Sequence, residues 1–311
     1  MKGRPLRFGV VFPGQGSQFA GMADPWIAHP AGKVVLEEAS DALGLDVAGA
    51  CRDESMLATT DVVQPALIAC DVAAYRVLEA EGLTDVAGVA GHSLGEFAAL
   101  VAAGVVELPA MLQVVAVRGR AMQEASERRP GAMSALLGVG AADAEEICAE
   151  ARDDDVLVVA NENSPQQVVI SGSVAAIERA EQVCAGRGVR AVRLKVAGAF
   201  HSALMEPAVA PLGEAIDAVA FEAPRMPIAS NVTGELVEDP RELRELAKRH
   251  VVSPVRWERC ARALAAAGAE TFVEAGPGDV LTKLAKRAVP GSRAVAVGSP
   301  DAASALLSGG A

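Results

Sequence analysis

Aromatic residues are scarce in this chain. They make up 3% of its 311 residues, with seven Phe, two Trp and one Tyr. The core therefore has to come from Ala, Val and Leu, and a hydrophobic content of 51% is enough to build a sizeable one. Positive charge is also short: 28 Lys and Arg against 40 Asp and Glu leave a formal net charge of −12. Few rings and no basic stripe argue against nucleic-acid binding. No apolar run reaches the ~18 residues of a membrane span, so no membrane association is expected. The first apolar stretch stops at Pro13-Gly14, too short for a secretory signal. The five cysteines, at 51, 70, 148, 184 and 260, show no Cys-x-x-Cys spacing. That pattern points to reduced thiols in a cytoplasm, with neither a disulfide framework nor a metal site.

What is present is a chain of alternating strands and helices with one interruption. Residues 7–12 read as the first core strand, ending in the glycine-rich Pro13-Gly14-Gln15-Gly16-Ser17-Gln18. That loop lacks the Gly-Lys-Ser/Thr ending of a phosphate-binding loop. Residues 31–43, 64–81 and 108–128 carry helical periodicity, with Gln64-Pro65 placed at the start of the second helix. From about Gly131 the pattern changes to strand, helix, strand, strand, helix, strand, closing with a strand over 189–196. This βαββαβ order is that of a ferredoxin-like unit. The division predicted is a large subdomain over 1–130 and 198–311, with an inserted small subdomain over 131–197. In the second large-subdomain segment, helices are expected over 207–219, 241–250 and 257–267, and strands over 227–230 and 270–274. The last predicted helix covers 280–288, and the Ala/Ser/Gly-rich tail is expected to be loose.

The most informative run is Gly91-His92-Ser93-Leu94-Gly95. It fits Gly-x-Ser-x-Gly, the sharp strand-to-helix turn that holds a serine hydroxyl outward. The small apolar stretch 86–90 before it reads as a strand, and 96–104 after it as a helix with a glycine stop. The alternative is a glycine-rich turn with an idle serine. A nucleophilic serine needs a base to take its proton. Of the four histidines, His29 falls in a surface loop. His92 adjoins Ser93 and is expected to line the pocket or brace the turn. His250 lies near a helix end, where a histidine is often a surface cap, and is the second choice. His201 follows the last strand of the insertion, at a junction where clefts form, and is the first choice. No carboxylate is placed to orient it. A Ser–His dyad braced by a backbone carbonyl is the simpler reading than a triad.

Four motifs occur in order: 11–18 (Val-Phe-Pro-Gly-Gln-Gly-Ser-Gln), 91–96 (Gly-His-Ser-Leu-Gly-Glu), 199–202 (Ala-Phe-His-Ser) and 274–278 (Glu-Ala-Gly-Pro-Gly). Together the chain resembles the malonyl-CoA:acyl-carrier-protein transacylases of fatty-acid and polyketide synthesis, over residues 7–288. The resemblance implies an α/β fold: an α/β-hydrolase-like large subdomain with an inserted ferredoxin-like small one. It implies ping-pong acyl transfer from malonyl-CoA through Ser93, with His201 as base, to the phosphopantetheine thiol of an acyl carrier protein. It further implies backbone oxyanion donors at Gln15 and Leu94, and Arg118 as the anchor for the malonyl carboxylate. The apolar turn before Arg118 agrees with a buried position, and Met122 falls one turn later on the same face. Phe200 would crowd an α-methyl group and so favour malonyl over methylmalonyl. Asn161 and Asn163 match a segment facing the cleft from the small subdomain. At His250, where many relatives have Gln, the backbone carbonyl would orient the base.

No cofactor is implied, since the coenzyme A thioester is itself a substrate, and the chain is expected to act as a monomer. An acidic carrier docking on an acidic chain needs a local basic patch. Lys283, Lys286 and Arg287, at helical spacing, are one candidate; Arg190, Arg193 and Lys195, expected on one strand face, are another. The competing reading from a different class is a serine hydrolase of the α/β-hydrolase type.

Overall fold

The computed structural model describes residues 7–308. Two sheets organise it. The larger has six strands in the order β10-β9-β1-β2-β7-β8. These are β1 (Phe8–Phe12), β2 (Val86–Gly91), β7 (Ile228–Ala229), β8 (Leu236–Val237), β9 (Thr271–Ala275) and β10 (Arg293–Val297). Every pair is parallel except β7–β8. The central strands β1 and β9 are buried at every position, as a parallel sheet covered by helices on both faces requires. The helices Pro30–Leu43, Thr60–Ala80, Gly95–Ala102 and Leu108–Arg128 supply much of that cover. Few as they are, the rings are mostly put inside: Trp26, Trp257, Tyr75, Phe12, Phe97 and Phe272 are among the largest fully buried side chains. None of the described helices is long and apolar enough to cross a membrane.

The smaller sheet is antiparallel, in the order β4-β5-β3-β6, from β3 (Gly131–Leu137), β4 (Leu157–Ser164), β5 (Gln167–Ser173) and β6 (Arg190–Arg193). With the helices Ala141–Ala151 and Val174–Gly186 between strands, it is the predicted ferredoxin-like βαββαβ unit. It has its own apolar core around Leu136, Ile147, Ile170 and Ile177. Its tie to the large sheet side is partly backbone. Val255 N–H donates to Ala160 O at 2.8 Å, and Glu162 N–H donates to Val255 O at 2.8 Å.

Several local expectations are corrected. The second long helix starts at Thr60, so Pro65 lies inside it. Asp61 in its first turn was the better start signal. The last strand of the insertion stops at Arg193, and Arg190 and Arg193 pair with Leu137 and Ser134. Residues three apart on a strand face opposite ways, so these two arginines do not share a face. The tail is not loose as far as Ser308: Arg293–Val297 adds an edge strand, and Pro300–Ser308 is a helix that buries Ala303 and Leu306. Ala and Ser suit close helix packing as well as they suit loops. Residues 309–311 and 1–6 lie outside the described residues.

Candidate functional site

The carboxyl ends of β1 and β2 open into a cleft of about 300 Å³, closed on the far side by the small sheet. Parallel α/β sheets present their ligand sites at this edge. Ser93 sits there because the chain turns from strand to helix with no room for side chains. A Cβ on Gly91 would fall 1.8 Å from Gly95 C, and one on Gly95 would fall 2.1 Å from Phe12 O. Ser93 itself takes a left-handed backbone, φ 50°, as does His201 at φ 59°. Non-glycine residues rarely adopt this conformation, and both candidate reacting residues do.

The hydroxyl of Ser93 lies 2.7 Å from His201 Nε2. His201 Nδ1 faces two carbonyls, Ser253 O at 2.9 Å and His250 O at 3.2 Å. Carbonyls only accept, so Nδ1 carries the hydrogen and Nε2 is the free acceptor for the serine proton. Burial first, then the Arg118 cation and the neighbouring His92, pulls His201 down to about 3. The ring is therefore neutral, a base, at neutral pH. Among the described residues no carboxylate contacts it; the partners of its Nδ1 are both backbone carbonyls.

Arg118 reaches the same point from the helix Leu108–Arg128 and is 1% exposed. Its Nη1 donates to Gln64 Oε1 at 2.7 Å, its Nη2 lies 3.4 Å from Ser93 Oγ, and its guanidinium packs over the Phe97 ring at 5.3 Å. Its Nε has no partner, and no carboxylate lies within ion-pair distance of it among the described residues. Burial lowers its pKa to about 9, partly offset by the Glu96 carboxylate, so it stays cationic at neutral pH. A buried guanidinium without a carboxylate partner carries an uncompensated charge, and its planar fork suits a carboxylate.

The remaining predicted residues fall around this centre. Gln15 and Leu94 line the cleft, and neither backbone N–H is engaged elsewhere among the described residues. Gly14 lets this loop come close: a Cβ there would fall 2.3 Å from His92 O. Met122 and Phe200 wall the pocket and are buried. His92 braces the two subdomains, with Nε2 2.8 Å from Asn163 Oδ1 and its ring packed on Trp257. Asn161 and Asn163 are buried on the β4 side. The basic groups are less uniform. Lys195 lines the cleft, Arg193 is held by Glu181, Lys283 pairs with Asp279, and Arg287 donates to Gln167. Lys286 is exposed and makes no ion pair among the described residues.

Comparison with known proteins accounts for the arrangement. The acyl transferase domain model matches residues 10–305. The chain belongs to the acyltransferase domain family. It is 40% identical over 97% of its length to the malonyl CoA-acyl carrier protein transacylase of Escherichia coli K12, covering 99% of that protein. The solved malonyl-CoA:acyl carrier protein transacylase of Xanthomonas oryzae superposes with a TM-score of 0.93 at 40% identity, over 97% of this chain and 98% of that one. A malonyl-transacylase solved with a type II PKS acyl-carrier protein gives 0.93 at 36% identity, over 97% and 99%. The resemblance read from four motifs holds along the chain.

His250 is not a surface cap: it is 1% exposed, 5.4 Å from the His201 ring and 5.5 Å from Phe97. Its backbone does end the helix Pro240–Arg249, with its N–H donating to Ala247 O, but the short turn that follows folds the ring inward, away from the surface. His29, expected in a surface loop, caps the helix Pro30–Leu43 by accepting from Ala31 N–H. Three contributors were missed. Gln64, fully buried, holds Arg118; a lone amide in the apolar stretch 62–69 was its signal. Ser253 offers its carbonyl to His201, for which a sequence carries no signal. Asn231, also fully buried, hydrogen-bonds both Ser93 N–H and Gly91 O, although it reads as an ordinary turn asparagine.

Proposed function

We propose that this chain moves a malonyl group from malonyl-CoA to the phosphopantetheine thiol of an acyl carrier protein, through an ester on Ser93. The observation that carries the reading is Arg118, buried beside Ser93 with no carboxylate of its own. An acyl group bearing a free carboxylate gives that cation its counter-charge through two parallel hydrogen bonds. The relatives' names supply the thioester donor and the carrier acceptor.

In the first half-reaction Ser93 Oγ attacks the thioester carbonyl while its proton passes to His201 Nε2. The carbonyl oxygen becomes an oxyanion facing the N–H groups of Gln15 and Leu94. Loss of one such donor costs about 3–4 kcal/mol in the transition state. Collapse breaks the C–S bond, and His201 returns the proton to the departing CoA sulfur. In the second half-reaction the carrier thiol gives its proton to His201, its sulfur attacks the ester carbonyl, and Ser93 Oγ leaves and is reprotonated. Phe200 narrows the acyl pocket against an α-methyl group, a discrimination of about 1–3 kcal/mol. Exposed Lys286, with Lys283 and Arg287 on the same helix, offers an acidic carrier a local basic patch.

The test is transfer of label from radiolabelled malonyl-CoA to a holo carrier protein. Label on the carrier, with little free malonate, is the expected result. Label released mainly as malonate would assign the chain to the serine hydrolases instead.

A further inference from the structure

We infer that Asn231 is the positioning residue that holds nucleophile and base in register, acting with the His250 side chain. Asn231 lies two residues beyond β7 and touches neither the cleft nor the reacting atoms. Its side-chain orientation is fixed by its partners. Ser93 N–H can only donate and is 2.8 Å from Oδ1; Gly91 O can only accept and is 2.7 Å from Nδ2. The amide therefore bridges the residue before and the residue within the turn, where Ser93 holds its left-handed backbone. With its own N–H taken by Asn231, Ser93 adds no donor to the oxyanion site, which leaves that task to Gln15 and Leu94.

The same Oδ1 meets His250 Nε2 at 3.4 Å. An amide oxygen only accepts, so His250 carries its hydrogen on Nε2. His250 in turn presents its carbonyl to His201 Nδ1 at 3.2 Å. One chain of contacts thus runs from Ser93 N–H through Asn231 and His250 to the base. Its far end is also tied: Asn231 N–H donates to Glu96 Oε2 at 2.6 Å, and Ser230 Oγ–H to Glu96 Oε1 at 3.3 Å. Glu96 stands in the first turn of the helix Gly95–Ala102, which follows Ser93. A shift of the elbow relative to His201 would have to break these buried bonds, and small misplacements of reacting groups cost up to about a hundredfold in rate.

The inference rests on Ser93 and His201 being the reacting pair. The test compares Asn231→Asp, Asn231→Ala, His250→Gln and His250→Leu in acylation by malonyl-CoA, with melting temperature and circular dichroism recorded for each. Asn231→Asp keeps the acceptor for Ser93 N–H and loses the donor to Gly91 O. We expect kcat down about tenfold to a hundredfold with KM within about twofold. His250→Gln retains a donor for Oδ1 and is expected to keep most of the rate; His250→Leu, with no donor, falls with Asn231→Asp. Should the Asn231 variants not fold, the contrast between Gln and Leu at 250 decides alone. A folded Asn231→Asp with unchanged kcat, or equal rates for Gln and Leu at 250, overturns the inference. A wild-type chain that forms no ester on Ser93 would instead overturn the reading beneath it.

Discussion

The two walls of the cleft are built on different terms. The wall from the large sheet carries Ser93, His201 and Arg118, all tied to buried neighbours, with two of the three on left-handed backbone. The wall from the small sheet brings Met133, Ala135, Val169 and two neutral asparagines, on antiparallel strands whose register shifts around Asn161 and Asn163. The buried charge and the strain stand on the first side; the second offers mainly shape, with Lys195 its one charged lining residue among the described residues. A reacting pair needs fixed geometry, and a deep parallel sheet with helices on both faces resists displacement. A substrate arm needs a surface to lie along, for which a pleated sheet face is sufficient. The comparison teaches that loss on the first wall should stop the chemistry, while loss on the second should only slow the passage of substrate.

Arg118→Ala is the sharpest way to break that division. Removing the buried cation should reduce kcat/KM for malonyl-CoA by about 2–5 kcal/mol, thirtyfold or more, measured against acetyl-CoA, which has no carboxylate to lose. Equal losses for both donors would remove the anchor from the first wall.

Asp71 is the exception on that wall. It is fully buried behind the Pro13 loop, neither of its oxygens has a partner among the described residues, and a Cβ on Gly276 would fall 2.1 Å from its Oδ1. Burial, with Glu274 nearby, pushes its pKa well above the ordinary 3.8. The folded chain therefore keeps a proton that the unfolded chain releases, and stability is lost as pH rises above the unfolded value. Asp71→Asn should be more stable than wild type by about 1–3 kcal/mol at pH 8 in urea unfolding, with the gain vanishing below about pH 4. A pH-independent difference would contradict the assignment of a buried proton.

A pH profile sharpens the same wall. With His201 pulled down to about 3, kcat/KM for acylation should stay level from pH 7.5 to 5.5. An ordinary imidazole near 6.5 would lose about tenfold there. The smallest effect belongs to the second wall. Asn163→Ala removes one hydrogen bond to His92 and should cost about 1 kcal/mol, read as a few-fold rise in KM. A fall in kcat as large as that of Arg118→Ala would erase the distinction between the walls.

Much of this was legible before any coordinates. Gly91, Ser93 and Gly95 announce the elbow because a turn that tight leaves no room for a Cβ. The switch from alternating strand and helix to βαββαβ marks the insertion because strand and helix periodicities differ. Arg118 could be placed inside because the turn before it is apolar. What stayed hidden is tertiary. His250 sits near a helix end, and only the inward fold of the next turn shows that it is buried beside His201. Gln64 reads as a helix start because proline favours the first turn, yet it lies one turn inside the helix. Ser253 acts through a carbonyl that every residue possesses. The Arg293–Val297 strand was lost because it finds its partner, β9, only across the sheet edge.

On the proposed mechanism, Ser93 holds the acyl group between two thiols. Intact-mass measurement after brief exposure to malonyl-CoA tests it directly, with Ser93→Ala alongside. The wild type should gain one malonyl group per chain, lose it on adding a holo carrier protein, and show the gained mass on that carrier. Ser93→Ala should gain none. A malonyl adduct on Ser93→Ala, or a wild-type ester that water removes as fast as the carrier does, would contradict it.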